Sequence, residues 1–161
     1  MPADVDVGYH LCYGDSKFGA SPFMGDEDQC PIHNHKDHGR HILPPDVSTV
    51  VEVSNELARA INRPINFIQA ATMRIWDEPK HWEALSNLRI GKETQFYLGL
   101  VHASDGVEAA RKRIAIVSKV LPSFGISTEC GLGRHSKEEL ASVTKTFRAV
   151  SQDAEALQAA E

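Results

Sequence analysis

His10 and Cys12 stand two apart in "YHLCYGD", and Cys130 closes "FGISTEC" near the other end of the chain. On an extended strand, side chains two apart share one face, so His10 and Cys12 point the same way. An imidazole and two thiolates form a borderline-soft ligand set that suits zinc with one coordination position left open. The competing reading of the same residues is a hydrogen-bonded histidine at a strand end and two cysteines acting as small hydrophobes. His102, in "LVHASDG", has a side chain able to move a proton near neutral pH. It could instead cap the helix that follows or bond Asp105. Cys30, His33, His35, His38 and His41 crowd into "CPIHNHKDHGRH", but their spacing matches no zinc module. Cys30, His33 and His35 read as a surface loop. Asp15, Arg74 and Arg134 lie near strand ends, where an arginine can hold a carboxylate through two parallel hydrogen bonds. Solvated surface charge is the alternative for both arginines. Asp15, His38, His41, Gln69, Asp105, Glu129 and Arg134 make up the candidate substrate-binding set.

The elements that must position these groups follow from periodicity. "VDVGYHLCY" is rich in β-formers and reads as a strand. From Phe18 to Pro45 the chain turns to Gly, Pro, Asp and His without an apolar period, which describes a loop too long for a simple connector. Val47, Val50, Val51, Ser54, Leu57, Ala58 and Ile61 recur at helical spacing, with Asp46 in the place of an N-cap. "PINFIQAA" reads as a short buried strand, "EPKHWEALSNL" as a brief helix and "TQFYLGLVHA" as a longer strand. Asp105 with Glu108 has the capping-box spacing, and Val107, Ala110, Ile114, Val117 and Leu121 form a stripe behind it. "FGISTEC" is a fourth strand. Ser136 with Glu139 repeats the capping-box spacing before the stripe Leu140, Val143, Phe147 and Val150.

This alternation of strand and helix predicts an α/β fold with parallel strands and right-handed crossovers. The count fits four β/α units, or half of an eight-stranded barrel, since a whole one takes about 250 residues. In either case ligands belong at the carboxyl ends of the strands, the edge shared by Cys12, His102 and Cys130.

With 161 residues, 42% of them hydrophobic, the chain suits a single domain spanning 1–161, with a His-rich loop insertion at about 16–45. Lys and Arg number 17 against 22 Asp and Glu, a net charge of -5 with no basic block, which argues against nucleic acid as a partner. No apolar run approaches the roughly 20 residues of a membrane helix, and "MPADVDVGYH" has no signal-peptide pattern. The expectation is a cytoplasmic protein without a membrane partner. Three cysteines at irregular spacing argue for reduced or metal-bound thiols rather than a disulfide framework.

"YHLCYGD", "FYLGLVHASDG" and "STECGLGR", in this order and spacing, resemble the C-terminal half of the cobalamin-independent methionine synthase family, in particular its shorter methionine-synthase-like relatives within the uroporphyrinogen decarboxylase superfamily. The resemblance runs from about residue 7 to residue 150. It implies half of a (β/α)8 TIM barrel and a zinc ion that activates a thiol acceptor for methyl transfer. His10, Cys12 and Cys130 match the family's histidine and cysteine ligands, and His102 matches a histidine that handles protons at the acceptor. His38-Gly39-Arg40-His41 is similar to a His-rich segment of the shorter relatives, and Arg134 follows "CGLG" as basic residues do in the family. Gln69 departs from the pattern, because it stands where the family places a glutamate ligand. The resemblance further implies that the first half of the barrel is not in this chain. A small-molecule thiol or methylated compound is then the expected substrate, and a homodimer or a complementary half barrel the expected partner, since a half barrel has open strand edges. Two alternatives remain: a non-catalytic truncated relative that acts in binding or assembly, and a metal-free decarboxylase of the same superfamily.

Overall fold

The structure is a computed structural model that describes residues 2, 4–13, 44–130 and 132–158. It is an α/β fold built on one four-stranded, all-parallel sheet in the order β1-β2-β3-β4, comprising Gly8–Leu11, Phe67–Ala70, Gln95–Val101 and Gly125–Thr128. The helices are α1 (Ser48–Ala60), α2 (Gly106–Val117) and α3 (Lys137–Gln158). Strand order following chain order, with a crossover between each pair, is the arrangement of consecutive units in a β/α barrel.

The connection from β2 to β3 differs from the expected helix. It consists of two 3-10 turns, Pro79–His81 and Glu83–Asn87, with Trp82 between them at φ -116° and ψ -7°. Trp82 is fully buried, donates its indole N–H to the Trp76 carbonyl at 3.2 Å and meets the Trp76 ring edge-on at 5.6 Å. Anchoring that ring fixes the backbone where a helix would need to continue, and so large a buried aromatic outweighs a few residues of helix propensity.

One face of the sheet is dry. Ile68, Ala70, Phe96, Leu98 and Leu100 pack there with Val50 and Val51 of α1, Val117 of α2 and both tryptophans. A second cluster joins Val101 and Ala110 to Val143 and Val150 of α3. Leu140, counted in the stripe of α3, is instead exposed. Strand β1 continues its alternation to residue 13: Tyr9, Leu11 and Tyr13 turn toward the core, while His10 and Cys12 turn outward. Period two therefore decides which residues are available for chemistry.

Capping also departs in part from expectation. Val47, not Asp46, is the N-cap of α1, and the Asp46 carboxylate accepts from the Ser48 amide at 2.9 Å. Asp105 caps α2 by position but makes no side-chain cap bond, because its carboxylate pairs with Arg113 at 2.7 and 3.1 Å. Glu108 pairs with Arg111. At α3 the reciprocal box forms as expected: Glu139 accepts from the Ser136 amide at 2.8 Å, and Ser136 Oγ accepts from the Glu139 amide at 3.2 Å.

Candidate metal centre

The carboxyl edge of the sheet is held in register by backbone bonds and one side chain. The Ala71 amide donates to the Leu11 carbonyl at 2.8 Å, and the Thr72 hydroxyl donates to the Gly99 carbonyl at 2.8 Å. An irregularity in the β3/β4 pairing between Gly99 and Val101 follows, and the Glu129 amide then donates to the Val101 carbonyl at 2.9 Å. These bonds fix where each strand ends and hence where Cys12, His102 and Cys130 emerge.

His10, Cys12 and Cys130 come together there. Their potential ligand atoms all lie within 4.8 Å of one another, and Cys130 Sγ is 3.4 Å from His10 Nε2, although the two residues are 120 apart in sequence. His10 and Cys12 are exposed and Cys130 is half-buried, so the group opens to solvent on the face of the sheet opposite the main core. It could hold a metal ion. The other ring nitrogen of His10, Nδ1, meets Gln69 Oε1, and Gln69 Nε2 donates to Ser127 Oγ at 2.9 Å. Gln69 therefore bonds the histidine of the group. Beside Cys12, burial, with Asp46 adding to it, pushes the Tyr13 phenol above its ordinary value, so that it stays neutral.

Below this level the open face carries aromatic rings laid over glycines. The Phe67 ring occupies the space a Cβ at Gly8 would need, and the Tyr97 ring does the same at Gly125. The two rings meet edge-on at 6.4 Å. A shallow depression of about 510 Å³ runs along this face, lined by Phe67, Gln69, Tyr97 and Ser127 among others.

His102 follows β3 and is fully buried, with Nδ1 3.4 Å from Glu129 Oε2. Its carboxylate neighbour is thus Glu129 rather than Asp105. Glu129 Oε1 accepts from the Ala103 amide at 2.5 Å and lies 3.7 Å from His135 Nε2. His135 Nδ1 is in turn 3.6 Å from Glu139 Oε2. Two histidines and two carboxylates thus sit behind the Cys130 turn, tying β3, β4 and the start of α3 together. The Asp105 carboxylate is taken up by Arg113, which also donates to the Leu100 carbonyl at 3.1 and 2.9 Å and to the Arg74 carbonyl at 3.3 Å. Arg113 is thereby a buried clamp on the end of β3.

Asp15, His38 and His41 lie outside the described residues, as do Cys30, His33, His35 and the side chain of Arg134. Sequence reasoning missed Ser127, His135 and Arg113. Period two along β4 from Gly125 would have placed Ser127 on the open face. The spacing of His135 and Glu139, one helical turn apart, was the available signal for that pair. Arg113, on the apolar side of α2, carried only the signal of a charge in a hydrophobic stripe.

Fold and site together define an α/β protein with a three-residue candidate metal centre at the carboxyl edge of a parallel sheet. Among the described residues no helix is long and apolar enough to cross a membrane. Comparison of the chain with protein-family models, with curated proteins and with solved structures returns no match.

Proposed function

We propose that this chain is a zinc-dependent methyl-transfer domain of the cobalamin-independent methionine synthase type, acting on a thiol. The observation that carries the reading is the convergence of His10, Cys12 and Cys130 within 4.8 Å from opposite ends of the sequence. In a tetrahedral zinc site, nitrogen and sulfur ligands lie roughly 3.6 Å apart, close to the 3.4 Å between His10 Nε2 and Cys130 Sγ. Three protein ligands leave one position for a substrate. Bound there, zinc would hold a thiol acceptor as its thiolate, the nucleophilic form that takes a methyl group.

The chain's own residues supply the rest. His10, Cys12 and Cys130 would hold the metal, and the exposure of His10 and Cys12 would leave it open to the acceptor from the bare face of the sheet. His102, fully buried beside Glu129, is the residue to which the resemblance assigns proton handling, and Glu129 orients its ring. Phe67 and Tyr97 offer an apolar floor for the part of the substrate that does not react. Phe67 is 41% exposed, which supports a second element of the same reading: the open face is completed by another chain, either a second copy or a complementary half barrel. Until that wall is in place water reaches the site, and the isolated chain is expected to bind metal without efficient turnover.

Metal content per chain, measured by plasma mass spectrometry on untagged protein beside Cys130→Ser, tests the proposal. About one zinc per chain, reduced by at least tenfold in the variant, is the expected result. Metal in neither would leave a binding or assembly role as the better reading.

A further inference from the structure

Gln69 occupies a position that invites a different role from that of a ligand. Its Oε1 meets His10 Nδ1, while its Nε2 donates to Ser127 Oγ at 2.9 Å. An amide oxygen only accepts, so the proton of the imidazole belongs on Nδ1, and the lone pair of Nε2 is left facing Cys130 Sγ at 3.4 Å. The amide reaches from β2 to β4 across β3 at the level of Gly99, the register partner of Ser127. Gly99 has no room for a side chain, since a Cβ there would lie 2.9 Å from the Thr128 carbonyl oxygen and 3.3 Å from that of Ala70. Both ends of the amide are thus engaged, the oxygen by the His10 ring and the nitrogen by the Ser127 hydroxyl.

We infer that Gln69 is a positioning residue that fixes His10 as the Nδ1–H tautomer, so that Nε2 is presented to a metal ion shared with Cys12 and Cys130. The inference rests on the reading that this group holds a metal. A neutral amide adds no charge to the ligand set and does not occupy the open position. It orients the histidine as outer partners of metal-bound imidazoles do.

The test uses the full chain, alone and loaded with zinc. Nitrogen-15 NMR of the histidine side chains reads which nitrogen of His10 carries the proton, and competition with a chromophoric chelator reads zinc affinity. In the native chain, Nδ1 is expected to be protonated before and after zinc is added. Gln69→Leu should lose the single tautomer and bind zinc about 10- to 100-fold more weakly. Gln69→Glu, whose carboxylate still accepts from Nδ1–H, should remain within a few-fold of native affinity. Should Gln69→Leu fail to fold by circular dichroism, Ser127→Ala releases the far end of the amide and should give a smaller loss in the same direction. Native affinity with an unchanged tautomer in the variant that folds would overturn the inference while leaving the metal reading intact. Protonation of Nε2 in the native chain would also overturn it. A native chain that takes up no zinc would remove the metal reading and the inference together.

Discussion

The two faces of the one sheet differ in what holds them. On the covered face, Ile68, Ala70, Phe96, Leu98 and Leu100 are at most 4% exposed and pack against helices and two tryptophans. On the other, His10 and Cys12 are exposed, and Gln69, Tyr97 and Ser127 are half-buried. The covered face is held by loss of apolar surface from water and by dispersion. The open face is held by directed bonds from His10 through Gln69 to Ser127, worth little individually in contact with solvent. The main apolar core and the candidate metal group thus occupy opposite sides of the same four strands, and a change on one side need not disturb the other.

The largest expected effect tests that separation directly. Trp82→Ala, on the covered side, should lower unfolding free energy by about 3–5 kcal/mol, whereas Phe67→Ala on the open side should cost about 1 kcal/mol. Urea unfolding of both variants measures this, and equal losses would break the comparison. Arg113→Met probes the clamp at the end of the covered face. It leaves the Asp105 carboxylate, 14% exposed, without its guanidinium and should cost about 3–5 kcal/mol. Adding Asp105→Asn should restore part of that loss in the same assay, because no uncompensated charge then remains.

The smallest effect lies on the outer surface of the helices. Arg111 bonds Asp153 at 2.8 and 3.2 Å, and this pair holds the Asp153 carboxyl below its ordinary range. A depressed carboxyl pKa contributes stability that is present above the unfolded-state value, about pH 3.9, and is lost as pH falls through the lower folded value. Asp153→Asn should therefore lower the melting temperature slightly at neutral pH, where the native pair contributes in full, and converge with the native protein as pH falls below about 4. An unchanged melting temperature at neutral pH would show that this pair does not stabilise the fold.

Much of the fold was legible because it depends on local periodicity. The spacing of His10 and Cys12 put both on one face of a strand before any partner was known, and the β/α order implied a parallel sheet. The Ser136 and Glu139 box was legible because both of its bonds are local. The similar pattern at Asp105 and Glu108 was not, since Arg113, eight residues on, takes the carboxylate first. The 3-10 turns around Trp82 escaped the sequence for a related reason, as the packing of Trp82 against Trp76 is not encoded in helical periodicity.

By itself, then, the sequence determined the four strands, the three long helices and the shared face of His10 and Cys12, all consequences of spacing along one strand or helix. Tertiary structure decided the partners. Parallel register set His10 opposite Gln69, the end of β4 set Glu129 beside His102, and curvature of the sheet brought Cys130, after the outer strand β4, to 3.4 Å from His10 on the other outer strand. Such pairings join residues many tens of positions apart, and no local propensity encodes them, because they exist only once the sheet has closed the distance.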